Sequence, residues 1–149
     1  MNNARINADG PLREEGLTRK IIGAFFEVYN ELGHGFVESV YQRALAIELN
    51  RRGVLAELEA PIDVWYKGVR VGAFRADVLA DRTVVVENKV SQRLTRADEK
   101  QLLNNLRGSA LEIGLLLHFG PMPSFKRLIC SHEMRKHRRP ERREEREKP

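Results

Sequence analysis

The chain has 149 residues, 42% hydrophobic and 32% charged, which fits a single globular domain and excludes collagen-like, low-complexity and membrane-embedded proteins. One cysteine, Cys130, rules out an internal disulfide and a multi-cysteine zinc site. The formal net charge is +5. Residues 132–149 hold eight Lys/Arg against five Glu, leaving only +2 for the rest. That segment has too few apolar residues to offset its ordering entropy, so it is expected to be a mobile basic tail or a frayed helix. Such a tail reads either as a phosphate-attracting arm or as a solvated terminus. Residues 1–12 are polar and expected to be flexible, which assigns 13–131 to the folded domain. Met1–Arg5 leads into no apolar signal segment, so a cytoplasmic address is expected.

From Arg13, the apolar residues Leu17, Ile21, Phe25, Val28 and Leu32 fall on one helical face. Gly33-His34-Gly35 breaks that helix. Val37, Val40, Tyr41, Ala44, Leu45 and Leu49 form a second helical stripe, ending at Gly53. Val54–Ala60 alternates loosely, and Pro61 is expected to interrupt it. Ile62, Val64 and Tyr66 alternate, with a turn at Lys67-Gly68. Val69–Leu79 reads as a strand with Val69, Val71, Ala73, Arg75, Asp77 and Leu79 on one side. After a tight connection at Asp81-Arg82, Thr83–Val90 is β-branched and strand-like. Thr95 caps a helix to Arg107, with Asp98 in its first turn, and Gly108 stops it. Ile113–Phe119 and Phe125–Cys130 are the last strands, around a turn at Gly120-Pro121-Met122-Pro123. The order α-α-β-β-β-α-β-β predicts an α/β domain, a mixed sheet flanked by helices.

Chemistry concentrates between Arg75 and Lys89. A hairpin centred near Arg82 places Asp77 opposite Glu87, about 5 Å apart at Cβ. Lys89 lies two residues on, on the same face, whereas Val84, Val86 and Phe74 point to the other. Two facing carboxylates repel unless a cation lies between them. Lys89 supplies one charge; a divalent cation supplies more and suits carboxylate oxygens. The alternative is an exposed strand carrying ordinary surface charges.

Gly35-Phe36-Val37-Glu38-Ser39-Val40-Tyr41 resembles the signature of the GxxExxY protein family, a branch of the PD-(D/E)XK nuclease superfamily. The resemblance runs from Leu17 to Cys130. It takes in Val28–Gly33, Tyr66-Lys67-Gly68, Arg75-Ala76-Asp77, Glu87-Asn88-Lys89, Gln101–Asn104, Phe119-Gly120 and Lys126-Arg127. It implies a restriction-endonuclease-like core and a catalytic set of Glu38, Asp77, Glu87, Lys89 and Gln101. Asp77, Glu87 and the Asn88 carbonyl would hold Mg²⁺, with Mn²⁺ as a substitute, and Glu38 would complete the shell. The chain departs from the superfamily pattern at four positions. Ala76 stands where proline precedes the aspartate, Asn88 where an apolar residue is usual, and Asn105 and His118 where relatives often carry an aromatic residue and asparagine.

The resemblance further implies a metal-dependent nuclease, with DNA favoured over RNA and nucleic acid as the partner. Its rivals are a catalytically silent nucleic-acid-binding or regulatory protein, and a subunit active only with a partner. Tyr41, Arg75, Arg93 and Arg96 are candidate substrate contacts, Tyr41 being equally readable as a core aromatic. Lys126 and Arg127 are readable as phosphate contacts or as solvated surface. His34 is expected to be an exposed loop residue, His118 a satisfied structural histidine and Cys130 an inert thiol. Trp65 and Tyr66 are expected to pack on the sheet rather than to stack on bases. An enzyme of this size that cuts both strands is expected to form a homodimer or larger assembly.

Overall fold

The computed structural model describes residues 14–131. The expected flexible N-terminus (1–12) and basic tail (132–149) lie outside them. Two helices open the domain, α1 (Glu15–Leu32) and α2 (Glu38–Arg51). The stripe of Ile21, Ala24, Phe25 and Val28 buries α1, and Tyr41, Leu45 and Leu49, four apart, bury α2. Three strands follow, β1 (Ala56–Tyr66), β2 (Val69–Ala80) and β3 (Val84–Lys89), then helix α3 (Arg96–Gly108) and strands β4 (Ile113–Phe119) and β5 (Pro123–Ile129).

The strands form one sheet in the order β1-β2-β3-β4-β5. All neighbours are antiparallel except β3 and β4, which are parallel. A parallel pair needs a long crossover, and α3 supplies it. The β1–β2 hairpin turns at Lys67 and Gly68, both at positive φ (50° and 80°), a two-residue turn that follows the strand twist. Asp81 and Arg82 also have positive φ, 48° and 54°. Asp81 locks this bend to the start of β1, its N–H bonding the Leu55 carbonyl and its Oδ1 accepting the Leu55 N–H, each at 2.8 Å. Helix α3 begins with a reciprocal cap: Thr95 Oγ1 accepts the Asp98 N–H, and Asp98 Oδ2 accepts the Thr95 N–H.

Two apolar layers sandwich the sheet. On one face α1 and α2 meet Val78, Ala80, Val84, Val86, Leu115 and Leu117. Phe119 anchors this layer, stacked on Tyr41 at 4.2 Å and edge-on to Phe25 at 4.8 Å. On the other face Leu102 and Leu106 of α3 cover Leu79, Val85 and Leu116. Every residue of β4 is buried, as a parallel strand covered on both faces requires.

Two expectations need correction. Pro61 does not break β1; it pairs with Arg75 inside a continuous strand. An edge strand tolerates this because its outward side needs no donor. The even alternation along β2 also fails. Phe74 and Ala76 lie with Leu79 and Val85 in the α3 layer, while Val78 lies in the opposite layer. The alternation therefore turns over at Asp77. Its neighbour across β1, Glu59, has φ +52°, so the hairpin is kinked on both strands at one level. Phe74 thus shares the face of Leu79, contrary to the sequence reading.

Candidate active site

The kink and the end of the β2–β3 ladder coincide. The last β2–β3 pair is Val78↔Val86, and continuing that register sets Asp77 opposite Glu87. There the strands stop exchanging backbone bonds, and the Asp77 carboxylate accepts the Asn88 N–H at 2.7 Å. The Asp77 carbonyl accepts from the Gln42 side chain at 2.7 Å, and the same amide nitrogen donates to Glu59 at 2.8 Å. Asp77 is thus held by both its carboxylate and its main chain. Glu38, the first residue of α2, is four residues before Gln42 and so one turn away on the same helical face.

Burial and mutual repulsion push the carboxyl groups towards their protonated forms. Glu87 is pushed up to about 8, first by burial and then by the Asp77 charge, with Lys89 and hydrogen bonding from the Asp77 main chain opposing. Asp77 is raised by burial and by Glu59, against the Asn88 hydrogen bond and Lys89. Glu38 is raised by burial, Asp77 and Glu59, against Lys89. One oxygen of Glu87, Oε2, is buried with no hydrogen-bond partner. Lys89 is half-buried, and its Nζ is 3.9 Å from Asp98. Glu87, Lys89, Asp98, Gln101, Leu102, Asn105 and Leu116 surround a cavity of about 10 Å³, close to the room of one water.

The structure therefore brings Glu38, Asp77, Glu87 and Lys89 into one electrostatic cluster and seats Gln101 beside Glu87 and Lys89. It does not gather the remaining candidates. Tyr41 is fully buried; its hydroxyl donates to the Gly33 carbonyl at 2.6 Å and accepts the Phe36 N–H at 3.3 Å. It braces the loop before α2, and its burial corrects its reading as a substrate contact. Arg75, Arg93 and Arg96 are exposed, Arg75 on β2, Arg93 in the loop after β3 and Arg96 at the start of α3. His118 is buried as expected, its Nε2–H donating to the Ser91 carbonyl at 2.6 Å. Cys130 is a buried free thiol.

Gln42, Glu59 and Asp98 were missed. Gln42 was legible as the residue one turn beyond Glu38. Glu59 was hidden by the expected break at Pro61, which obscured the strand opposite Asp77. Asp98 was assigned only to helix capping, yet its other oxygen faces Lys89.

Among the described residues, no three His, Cys, Asp or Glu side chains converge as a ready-made metal cage. The donors present still suit Mg²⁺, which takes one or two carboxylates and keeps several waters. The buried, unpartnered Glu87 oxygen beside Asp77 is an acceptor that a hard cation would satisfy. Residues 15–128 match the family model of the PD-(D/E)XK nuclease superfamily. The chain belongs to that superfamily. The mixed five-stranded sheet with its flanking helices agrees with the superfamily's restriction-endonuclease-like fold. The domain is similar to a solved structure titled "Crystal structure of SSO0001", with 19% identity and a TM-score of 0.43, over 79% of this chain and 60% of that one. The chain thus spans less than two thirds of that protein's length. No curated protein matches. No described helix is long and apolar enough to cross a membrane.

Proposed function

We propose that this protein is a nuclease of the GxxExxY branch, dependent on Mg²⁺ or Mn²⁺, that hydrolyses phosphodiester bonds in nucleic acid, with DNA favoured over RNA. The observation that carries this reading is the buried Glu87 carboxyl, one oxygen unpartnered, beside Asp77 and next to a water-sized cavity that Lys89 and Gln101 also line. Burying acids together is costly, and a polyanion binder gains nothing from it. Asp77, Glu87 and the Asn88 carbonyl would hold the cation, with Glu38 at its margin. The bound cation would neutralise phosphate charge and lower the pKa of an attacking water. Gln101 orients the water in the cavity. Lys89 orients the attacking water or steadies charge on the phosphate, and Asp98 positions Lys89.

A second reading has one observation in its favour. Among the described residues the carboxylates form no ready-made cage, and a partner in an assembly would complete the site of a partner-dependent subunit. Calorimetric titration of wild type and Asp77→Ala with Mg²⁺ and Mn²⁺ tests both, alongside incubation with labelled single- and double-stranded DNA and RNA. Saturable binding and cleavage, both lost in Asp77→Ala, are expected. Metal binding with cleavage only after a partner is added would favour the second reading. No metal binding by wild type would overturn the active-site assignment.

A further inference from the structure

Beyond the acidic cluster, a groove of about 460 Å³ lies between the tip of the β1–β2 hairpin and α3. Val64, Trp65, Tyr66 and Lys67 line one side, and Asn104 and Gly108 the other. The β1–β2 register shifts between Val64 and Trp65, and these consecutive residues all face the groove. Tyr66 was expected to pack on the sheet, yet it is 58% exposed, with Lys67 Nζ 5.4 Å from its ring centre. No carboxylate lines the groove. The Arg107 guanidinium is held nearby through its 3.0 Å bond to the Asn104 side chain.

The groove and the candidate active site border the same helix, α3. Gln101 and Asn105 line the water-sized cavity, and Asn104 and Gly108 line the groove. Spacings of three and four put these residues along one side of α3. From Gln101 to Gly108 is about 10 Å along the helix, about three nucleotide steps at the spacing of a stacked strand. An exposed tyrosine ring beside a half-buried tryptophan, bordered by cations and without acids, matches the chemistry of an aromatic base on an anionic backbone.

We infer that the Trp65–Tyr66–Lys67 groove binds an unpaired base of single-stranded nucleic acid, a few nucleotides from the phosphate held at Asp77 and Glu87. This rests on the nuclease reading for the position of the scissile phosphate. The stacking surface itself is exposed in the hairpin. A base paired within a duplex offers no free face to such a groove, so the inference makes a strand with unpaired bases the substrate class.

Trp65 is the chain's only tryptophan, so its fluorescence reports on the groove directly. The full-length Glu87→Gln variant is titrated without divalent metal, which keeps the measurement independent of turnover. The probes are oligothymidylate, oligouridylate, a duplex of matched length, and a fully abasic deoxyribose-phosphate chain. Either single strand is expected to quench Trp65, and the responding strand names the sugar. The duplex and the abasic chain are expected to leave Trp65 unquenched. Adding Tyr66→Ala, which removes an exposed side chain, should weaken single-strand binding about tenfold. Lys67→Asn, which suits the left-handed backbone there, should weaken it most at low salt.

Quenching by the abasic chain or the duplex as strong as by single strands would overturn the inference, as would no quenching or an unaltered Tyr66→Ala titration. Each of these results leaves the metal-binding and cleavage experiment untouched. Failure of that experiment, with quenching intact, would locate the error in the nuclease reading instead.

Discussion

Asn88 and Lys89 are adjacent in sequence but face different problems. The Asn88 side chain is buried, 1% exposed, and neither its Oδ1 nor its Nδ2 has a hydrogen-bond partner. An unpaired buried amide costs about 1–3 kcal/mol. Its main chain is the part that serves the site, through the N–H bonded to Asp77. Asn88→Val is therefore expected to raise unfolding stability by about 1–2 kcal/mol while leaving Mg²⁺ affinity unchanged, read by denaturant unfolding and calorimetry. Lys89 instead sets its charge near Glu38, Asp77 and Glu87, with Asp98 at 3.9 Å. Lys89→Met removes that charge but keeps the aliphatic stem. Turnover should fall about 10²- to 10³-fold under metal-saturated single-turnover conditions, with Mg²⁺ affinity retained or tightened because a competing cation is gone.

At the scale of elements, the seating of α3 matters most, since it carries Gln101 and continues Asp98's link to Lys89. The helix comes close to the sheet at Gly114 of β4. A Cβ there would meet Leu102 Cδ2 at 2.9 Å and its Cγ at 3.0 Å, and Leu102 is buried. Gly114→Ala must therefore push α3 outward. It is expected to cost about 1–3 kcal/mol of stability and to lower kcat more than it changes KM, because it moves Gln101 away from the cavity. Thermal melts and steady-state kinetics measure both. The opposite layer has less bearing on the chemistry. Tyr41, Phe119 and Phe25 form one aromatic cluster that fixes α2 and the loop before Glu38.

For the whole molecule, the buried acids tie folding to pH. An unfolded glutamate ionises near 4.5, whereas folded Glu87 keeps its proton until about 8. Between those values the native state binds the extra proton, so stability falls as pH rises. The slope from this group is at most about 1.4 kcal/mol per pH unit. Raised Asp77 and Glu38 act in the same direction. The metal-free protein should thus melt at progressively lower temperature from pH 5 to pH 8. Mg²⁺ should reverse the loss, and Glu87→Gln should flatten the profile; scanning calorimetry across that range checks all three.

Much of this architecture is legible in the sequence. Stripes such as Ile21–Phe25–Val28 and Tyr41–Leu45–Leu49 marked the helices, and the Arg82 centre predicted the Asp77–Glu87 juxtaposition. What stayed hidden was non-periodic. Glu59's left-handed backbone turns the alternation over, and no residue type announced it. Tyr41 was ambiguous because one spacing serves both a core stripe and a site-facing one. Tyr66 was misplaced because alternation says which face a side chain takes, not whether anything covers it.

Pro61 has a further effect on how copies of this protein can meet. β1 is an outer strand of the sheet, and its exposed border invites another strand to add on. Proline has no N–H to offer there, and the kink at Glu59 bends the same border two residues earlier. A continuous ladder between two β1 strands would be interrupted at the level of the acidic cluster. Two copies paired through their β1 edges would then leave this flank of the cluster open to an incoming strand.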